Sequence, residues 1–273
     1  MLELSEYQRA YFASDLHLSA DTPHTLEQFE SWLASISDEA AYIFLLGDLF
    51  EAWIGDDHLD SVAKRVRSAI QASGDAGSKV YFMQGNRDFL LGEHFCLLAG
   101  MELLPDPEFL RVGKHIILLT HGDQLCTDDK AYQQFRQLSR QESWIDNFLK
   151  KPIQERQAYA AKAREESTKH KKGASQSIMD VNLKTCEQAF LGKWPDGCFL
   201  GRSDVVLHGH THRCAVHGDN LPGLVTESYT GKLQNQQRIV LPDWDFDSEN
   251  RSNYRGGFLT LHGTGHLEMT LFN

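Results

Sequence analysis

Five short apolar runs in this 273-residue chain each end on a residue able to hold a metal ion. Tyr11-Phe12-Ala13-Ser14 leads into Asp15 and His17, and the run Tyr42 to Leu46 leads into Gly47-Asp48. Val80 to Met83 leads, after Gln84, into Gly85-Asn86-Arg87-Asp88. Ile116 to Thr120 leads into His121-Gly122-Asp123, and Val205 to Leu207 into His208-Gly209-His210-Thr211-His212. Runs of this kind predict buried parallel strands, and open α/β sheets gather ligands at the carboxyl ends of their strands. One strand ending in aspartate is common. Five ending in Asp-x-His, Asp, Asn, His and His-x-His predict one site, and the donors suit two metal ions.

The length fits one large α/β domain whose core needs no disulfide or metal to fold. No stretch approaches the roughly 20 apolar residues of a membrane span. The first ten residues carry Glu3 and Glu6 and no apolar segment, so no secretory signal is expected. Cys96, Cys126, Cys186, Cys198 and Cys214 form an odd set without a Cys-x-x-Cys pair. That favours reduced thiols in a cytoplasmic protein over a disulfide framework or a zinc knuckle. A net charge of −11 argues against nucleic acid as a partner. The charge is unevenly spread: Lys150, Lys151, Arg156, Lys162, Arg164, Lys169, Lys171 and Lys172 crowd one segment. Such a segment is either a solvated helical face or a surface for phosphate groups or an anionic membrane.

From Tyr11 to Asp129 apolar strands alternate with helical stretches, Thr25–Ile36 and Leu59–Ser73 among them. Leu26, Phe29, Leu33 and Ile36 fall at helical spacing. From Lys130 to Met179 there is no convincing strand; Trp144, Ile145, Phe148, Leu149 and Ile153 precede a polar helical run, and Pro152 marks a break between helices. The expected organisation is a single domain over residues 1–273 with a helical insertion, a lid, over about 130–179. The chain returns to β structure at Gly257–His262 and His266–Phe272, with Gly263-Thr264-Gly265 as the hairpin turn. Asp243–Arg255 reads as a polar loop.

Asp15 and His17 sit two apart, so an extended backbone points both the same way. The two carboxylate oxygens of Asp48 can serve two cations, Asn86 offers a neutral amide oxygen, and His121, His210 and His212 supply imidazoles. This mixture suits Mn²⁺, Fe or Zn²⁺ more than Ca²⁺ or Mg²⁺. Two such ions about 3.5–4 Å apart can clamp a phosphoryl group and lower the pKa of a shared water. Each motif alone has an ordinary reading as a turn, a cap or a surface histidine; their ordered recurrence after five strands does not. His24, His58, His94, His115, His217, His262 and His266 keep that ordinary reading, and His208 is read as a neighbour of the ligands.

The set Asp-x-His, Gly-Asp, Gly-Asn-x-Asp, His and Gly-His-x-His resembles the calcineurin-like metallophosphoesterase superfamily. The resemblance implies an α/β fold, a four-layer αββα sandwich carrying the helical lid. One position departs from the usual pattern: Arg87 stands where relatives have a histidine. A guanidinium does not release its proton near neutral pH, but it grips phosphate oxygens with a fork of donors. That favours a phosphoanhydride, whose phosphate leaving group hardly needs an acid, over a phosphomonoester.

Longer segments narrow the resemblance. Gly47-Asp48-Leu49-Phe50-Glu51-Ala52-Trp53-Ile54-Gly55-Asp56-Asp57, Gly85 to Gly92, His121 to Asp129 with Tyr132, Ile178 to Asn182, and His208 to Arg213 are similar to the UDP-2,3-diacylglucosamine diphosphatases of lipid A biosynthesis. The resemblance implies hydrolysis of a lipid-nucleotide pyrophosphate to UMP and 2,3-diacylglucosamine 1-phosphate, by hydroxide attack on the uridine-side phosphorus, with two Mn²⁺ per chain or other divalent ions. It implies metal ligands Asp15, His17, Asp48, Asn86, His121, His210 and His212, and catalytic roles for Asp48, Asn86, Arg87 and His121. Substrate contacts would come from Asn86, Arg87, Asp129, Tyr132, Ser167, Lys171 and His210. It places the protein in the cytoplasm of a Gram-negative bacterium, peripheral on the inner membrane, with no obligatory protein partner. The alternatives are a metallophosphoesterase acting on nucleotides, phosphodiesters or phosphoproteins, and a metal-free scaffold on the same fold; the latter would require lost ligands, and all seven are present.

Overall fold

The structure, a computed structural model, describes residues 1–167 and 180–272 in full and the helical backbone as far as Gly173. The chain opens with β1 (Leu2–Leu4), β2 (Arg9–Ala13), α1 (Pro23–Ile36), β3 (Tyr42–Leu46), α2 (Ser61–Asp75) and β4 (Lys79–Met83). Then come α3 (Glu93–Ala99), β5 (Met101–Leu104), β6 (Glu108–Val112) and β7 (His115–Leu119). Three helices follow, α4 (Lys130–Ser139), α5 (Glu142–Leu149) and α6 (Ile153–Gly173), and then α7 (Leu183–Phe190). The remainder is β8 (Val205–His208), β9 (Ala215–His217), β10 (Gly223–Leu224), β11 (Tyr229–Lys232), β12 (Gln237–Val240), β13 (Gly256–His262) and β14 (His266–Phe272).

Successive side chains of a strand point to opposite faces, and here both faces of the central strands are covered. Phe12, Phe44, Leu46, Tyr81 and Met83 meet Leu110, Ile117, Leu119, Val205 and Leu207 from a second sheet. The rings of Phe12 and Phe44 stack at 4.7 Å, and those of Phe44 and Tyr81 at 5.0 Å. The alternate residues Tyr11, Ala13, Ile43, Leu45, Val80 and Phe82 pack on Leu26, Phe29, Val66, Ile70 and Phe95 of α1, α2 and α3. On the far side Leu118 and Val206 pack against Cys186 and Ala189 of α7. The result is the four-layer αββα sandwich. Its sheets run β1-β6-β7-β8-β12-β9-β10 and β11-β14-β13-β2-β3-β4-β5. β2, β3 and β4 are mutually parallel, as are β7 and β8, so all five motif loops leave the same edge of the sandwich.

The predicted hairpin forms, with Leu261 opposite Leu267 across the glycine turn. The insertion is helical, and Pro152 directly precedes α6. Its aromatic residues pack among themselves: Trp144 stacks on Phe148 at 5.0 Å, and Tyr159 meets both rings edge-on. Arg156 departs from the reading of a basic surface segment. Its side chain is 2% exposed and grips both carboxylate oxygens of Asp57, at 2.8 and 2.5 Å, while donating to the Ile54 carbonyl at 2.6 Å. α6 is thereby fastened to the loop that follows β3. Gly55 makes room for it, since a Cβ there would lie 2.5 Å from the guanidinium. Among the described residues no helix is long and apolar enough to cross a membrane.

Charge-assisted hydrogen bonds of this kind contribute about 2 kcal/mol. Arg156→Ala should therefore speed amide exchange over Ile153–Tyr159 about 30-fold while β2, β3 and β4 keep their protection. Unchanged exchange in α6 would show that the clasp does not hold the helix.

Candidate metal centre

The loops after β2 and β3 stay paired beyond the strands. Asp15 N donates to Gly47 O at 3.1 Å, His17 N to Asp48 O at 3.0 Å and Leu18 N to Leu49 O at 3.0 Å, so the first three donors are fixed relative to one another. Their backbone is unusual. Asp15, His17, Asp48, His210 and His212 have φ of 57°, 51°, 52°, 66° and 54°. Among the described non-glycine residues only Asn220 and Gln236 share a positive φ, so this strain coincides with the predicted ligands. Each such residue costs on the order of 1 kcal/mol and persists only where its surroundings over-determine it.

The motif glycines provide the close approach. A Cβ on Gly85 would lie 2.2 Å from Asp48 Oδ1, one on Gly209 2.3 Å from Asp15 Oδ2, and one on Gly47 2.4 Å from His121 Nδ1. Asp88, fully buried, clamps two loops together. Its Oδ1 accepts from Gly85 N at 2.8 Å, and its Oδ2 accepts from Leu49 N at 2.7 Å.

The donors form two groups, Asp15 with His17 and His212, and Asp48 with His121 and His210; within each, the ligating atoms lie within 4.8 Å of one another. Asp48 reaches both: its Oδ2 is 3.7 Å from His17 Nε2 and its Oδ1 is 3.7 Å from His121 Nε2. Asn86 Oδ1 lies 3.1 Å from His121 Nε2, beside the second group. Asp15 Oδ1 and His17 Nε2 are buried without a hydrogen-bond partner, a costly state that a cation would relieve. The other ring nitrogens are engaged: His17 Nδ1 with Glu51 at 2.8 Å, His121 Nδ1 with the Leu46 carbonyl at 2.9 Å, and His212 Nδ1 with Asp243 at 3.1 Å. Such outer bonds fix the tautomer that turns Nε2 toward a metal. The donors fit a dinuclear divalent metal site. His208 is a neighbour, as read from sequence; its Nδ1 faces the Gly209 carbonyl and its Nε2 faces Arg238.

Burial alone would depress the His121 imidazole, but the carboxylates of Asp48, Asp15 and Asp123 reverse this and lift it to about 9. Burial and the neighbouring His121 push His210 down to about 3, leaving it neutral. Burial opposes ionisation of Asp48, yet His121, His17 and Arg87 hold it below the usual carboxylate range. Burial and then Asp48 raise Asp88 to about 6.

A cavity of about 720 Å³ opens beside the donors. It is lined by Asp48, Asn86, Arg87, His210 and His212 and by the aromatic residues Phe89, Phe135, Trp144, Phe148 and Tyr159. Asp129, Tyr132 and Ser167, named from sequence, also lie on its wall. Asp129 accepts from Tyr132 N at 3.0 Å and so caps α4, while the Tyr132 hydroxyl donates to Asp123, which also accepts from Arg136 Nε at 2.8 Å. The Tyr132 ring is 6.0 Å from that of His210. Arg87 N donates to Asp48 Oδ1 at 2.7 Å, and its buried Nε has no partner. Lys171 lies, as a side chain, outside the described residues.

Sequence reasoning missed four supports. Ser14 Oγ donates to Asp15 at 2.7 Å, Glu51 orients His17, and Arg140 donates to the Gly85 carbonyl at 3.0 Å while lying 4.0 Å over the Phe89 ring. Asp243, assigned to a polar loop, is buried; it faces His212 and accepts from Arg255 Nε at 2.8 Å. Only Glu51 carried a signal, its place within a recognised motif.

The fold and the paired donor groups define a calcineurin-like phosphoesterase, and the model of the calcineurin-like phosphoesterase family matches residues 9–214. The UDP-2,3-diacylglucosamine hydrolase of Bordetella pertussis is 40% identical over 93% of this chain and 92% of its own. That of Haemophilus influenzae Rd is 39% identical over 90% and 92%, and that of Serratia proteamaculans 43% over 76% and 82%. The chain belongs to the UDP-2,3-diacylglucosamine hydrolase family.

Metal ligation requires neutral imidazole, whereas the metal-free protein holds His121 protonated at pH 7.5, below its value of about 9. Divalent metal binding should therefore release roughly one proton per chain at that pH, and affinity should climb as pH approaches 9. Calorimetry in buffers of different ionisation enthalpy measures this directly. A binding heat independent of buffer would contradict the charged state assigned to His121.

Proposed function

We propose that the protein hydrolyses the pyrophosphate of UDP-2,3-diacylglucosamine to UMP and 2,3-diacylglucosamine 1-phosphate, with two Mn²⁺ as its resident metals. The observation that carries this is the continuity of the cavity. The same space touches the donors Asp48, His210 and His212, the guanidinium of Arg87, and the aromatic wall of the insertion. Its volume of about 720 Å³ lies in the usual range for small-ligand sites. Such a space suits a molecule with phosphates at one end and acyl chains at the other, which is what the relatives' name describes.

Asp15, His17, Asp48 and His212 would hold one ion, and Asp48, Asn86, His121 and His210 the other. Bound divalent ions supply hydroxide near neutral pH and offset phosphoryl charge. The protein's own groups do the rest. Arg87, a permanent cation 15% exposed at the cavity, holds pyrophosphate oxygens as charge builds on them. It donates no proton, and none is needed by a phosphate leaving group. Asn86 orients the same oxygens and, with His121, contributes to catalysis. Asp129, Tyr132, Ser167, Lys171 and His210 position the uridine and glucosamine portions. The helices α4, α5 and α6 act as a lid within the single domain, with Phe135, Trp144 and Phe148 facing the acyl chains. Lys150 and Lys151, both exposed beside the partly exposed Leu149, favour peripheral contact with the anionic inner membrane on its cytoplasmic face.

With Mn²⁺, the protein should cleave UDP-2,3-diacylglucosamine and leave UDP-N-acetylglucosamine and bis-p-nitrophenyl phosphate nearly untouched. In H₂¹⁸O the label should enter UMP. Label in the lipid phosphate would refute attack on the uridine side, and equal cleavage of the soluble esters would refute the lipid assignment. Arg87→Ala should lower kcat about 100-fold with Mn²⁺ affinity retained.

A further inference from the structure

Glu51 stands where three elements meet. It follows β3 at the rim of the donor cluster, and one of its oxygens, Oε2, receives His17 Nδ1 at 2.8 Å. Its other oxygen, Oε1, is 2.9 Å from Arg164 Nε on α6 and 3.8 Å from Arg87 NH1. One carboxylate therefore touches a metal-ligating imidazole, the insertion helix and the guanidinium assigned to pyrophosphate. Glu51 is 19% exposed as a side chain and Arg164 43%, so the pair is shielded from solvent on the Glu51 side only.

The second fastening of α6, Arg156 on Asp57, binds the helix two turns earlier to the same post-β3 loop. The two differ in what they reach. Asp57 is 59% exposed and far along the loop from any donor, whereas Glu51 is bonded to a donor directly. Arg156 holds the helix to the body; Arg164 connects it to the metal centre.

We propose that Glu51 is a positioning residue that couples the two: it sets the ring of His17 for a metal, and through Arg164 it makes the placement of α6 depend on whether the metal is bound. The inference rests on the two-metal reading above and extends it from chemistry to regulation of the cavity. The physical basis is linkage. A metal that needs His17 in one orientation favours the Glu51 conformer that provides it, and that conformer presents Oε1 to Arg164. Whatever metal binding does to α6, α6 placement must do to metal affinity by the same factor. A substrate that fills the cavity beneath α6 would then tighten the metal site it is about to use.

The test is amide exchange of Ile153–Ser167 with and without saturating Mn²⁺, beside Mn²⁺ titrations by calorimetry. In the wild type, Mn²⁺ should slow exchange of this segment at least about five-fold. Arg164→Met, a change at a half-exposed site, should fold normally and bind Mn²⁺, yet reduce that protection to less than about two-fold. Glu51→Ala should weaken one of the two Mn²⁺ sites about 10- to 100-fold, and Glu51→Gln, which keeps an oxygen for His17, should recover most of the affinity but not the protection of α6. A merely structural Glu51 would lower stability in both variants without separating these readouts, and that result would overturn the proposal. So would Mn²⁺ binding in the wild type with unchanged α6 exchange. If the wild type bound no Mn²⁺ at all, the two-metal reading itself would fall, and this inference with it.

Discussion

Two buried carboxylates held among imidazoles are what the rest of this molecule is arranged around. Asp15 and Asp48 are 0% and 1% exposed, and burying such groups uncompensated would cost several kcal/mol each. The protein offsets part of that cost with fixed donors: Ser14 and the His210 amide on Asp15, and the Arg87 amide on Asp48. It leaves part unmet, since Asp15 Oδ1 and His17 Nε2 have no hydrogen-bond partner. A site left partly unsatisfied in this way is a site waiting for cations. The left-handed backbone at five of its candidate ligands belongs to the same account, because strain at several adjacent positions survives only in loops that the flanking strands and Asp88 hold rigidly.

Most of that centre was legible in the sequence, for a definite reason. A strand that is buried on both faces reads as an unbroken apolar run, so its end is plain in the sequence, and here a candidate ligand stands within three residues of each end. The five runs Tyr11, Tyr42, Val80, Ile116 and Val205 onward become β2, β3, β4, β7 and β8. The hairpin at Gly263 was equally plain. What was not legible were contacts between residues far apart in sequence with no periodic pattern behind them. Asp243 faces His212 because β12 pairs with β8 in parallel, bringing the residues after Val240 beside the His210–His212 loop. Nothing in Asp243–Arg255 itself announces this. Arg156 is a similar case. Within a segment rich in lysine it looks like one more surface charge, and only the fold reveals Asp57 opposite it.

The insertion differs from the metal centre in how it is held. The centre sits on loops at the edge of two sheets whose shared core includes Phe12 and Leu207. The helices α4, α5 and α6 join the core through Phe148 and the Trp144–Phe89 contact, and add a few charged clasps. Arg156 and Arg164 attach α6 to the loop after β3, and Arg140 attaches α4 to the Gly85 carbonyl. Among the described residues of these helices only Ser139, Phe148 and Arg156 are buried, and a layer so lightly buried can open with less free energy than the body beneath it.

The attachment points also explain why so long a stretch after β3 resembles one family. Glu51, Trp53, Asp56 and Asp57 lie outside the two donor groups, yet each has a fixed duty. Glu51 bonds His17, Trp53 donates to Asp56 at 2.9 Å, Asp56 accepts from Gly92 N at 3.0 Å and Phe95 N at 2.9 Å to hold the start of α3, and Asp57 receives Arg156. A segment in which these four residues serve the metal centre, the helix behind it and the arm above it has little freedom to vary. The ligands alone would define a phosphoesterase. The residues between them tie the donors to a particular helical arm.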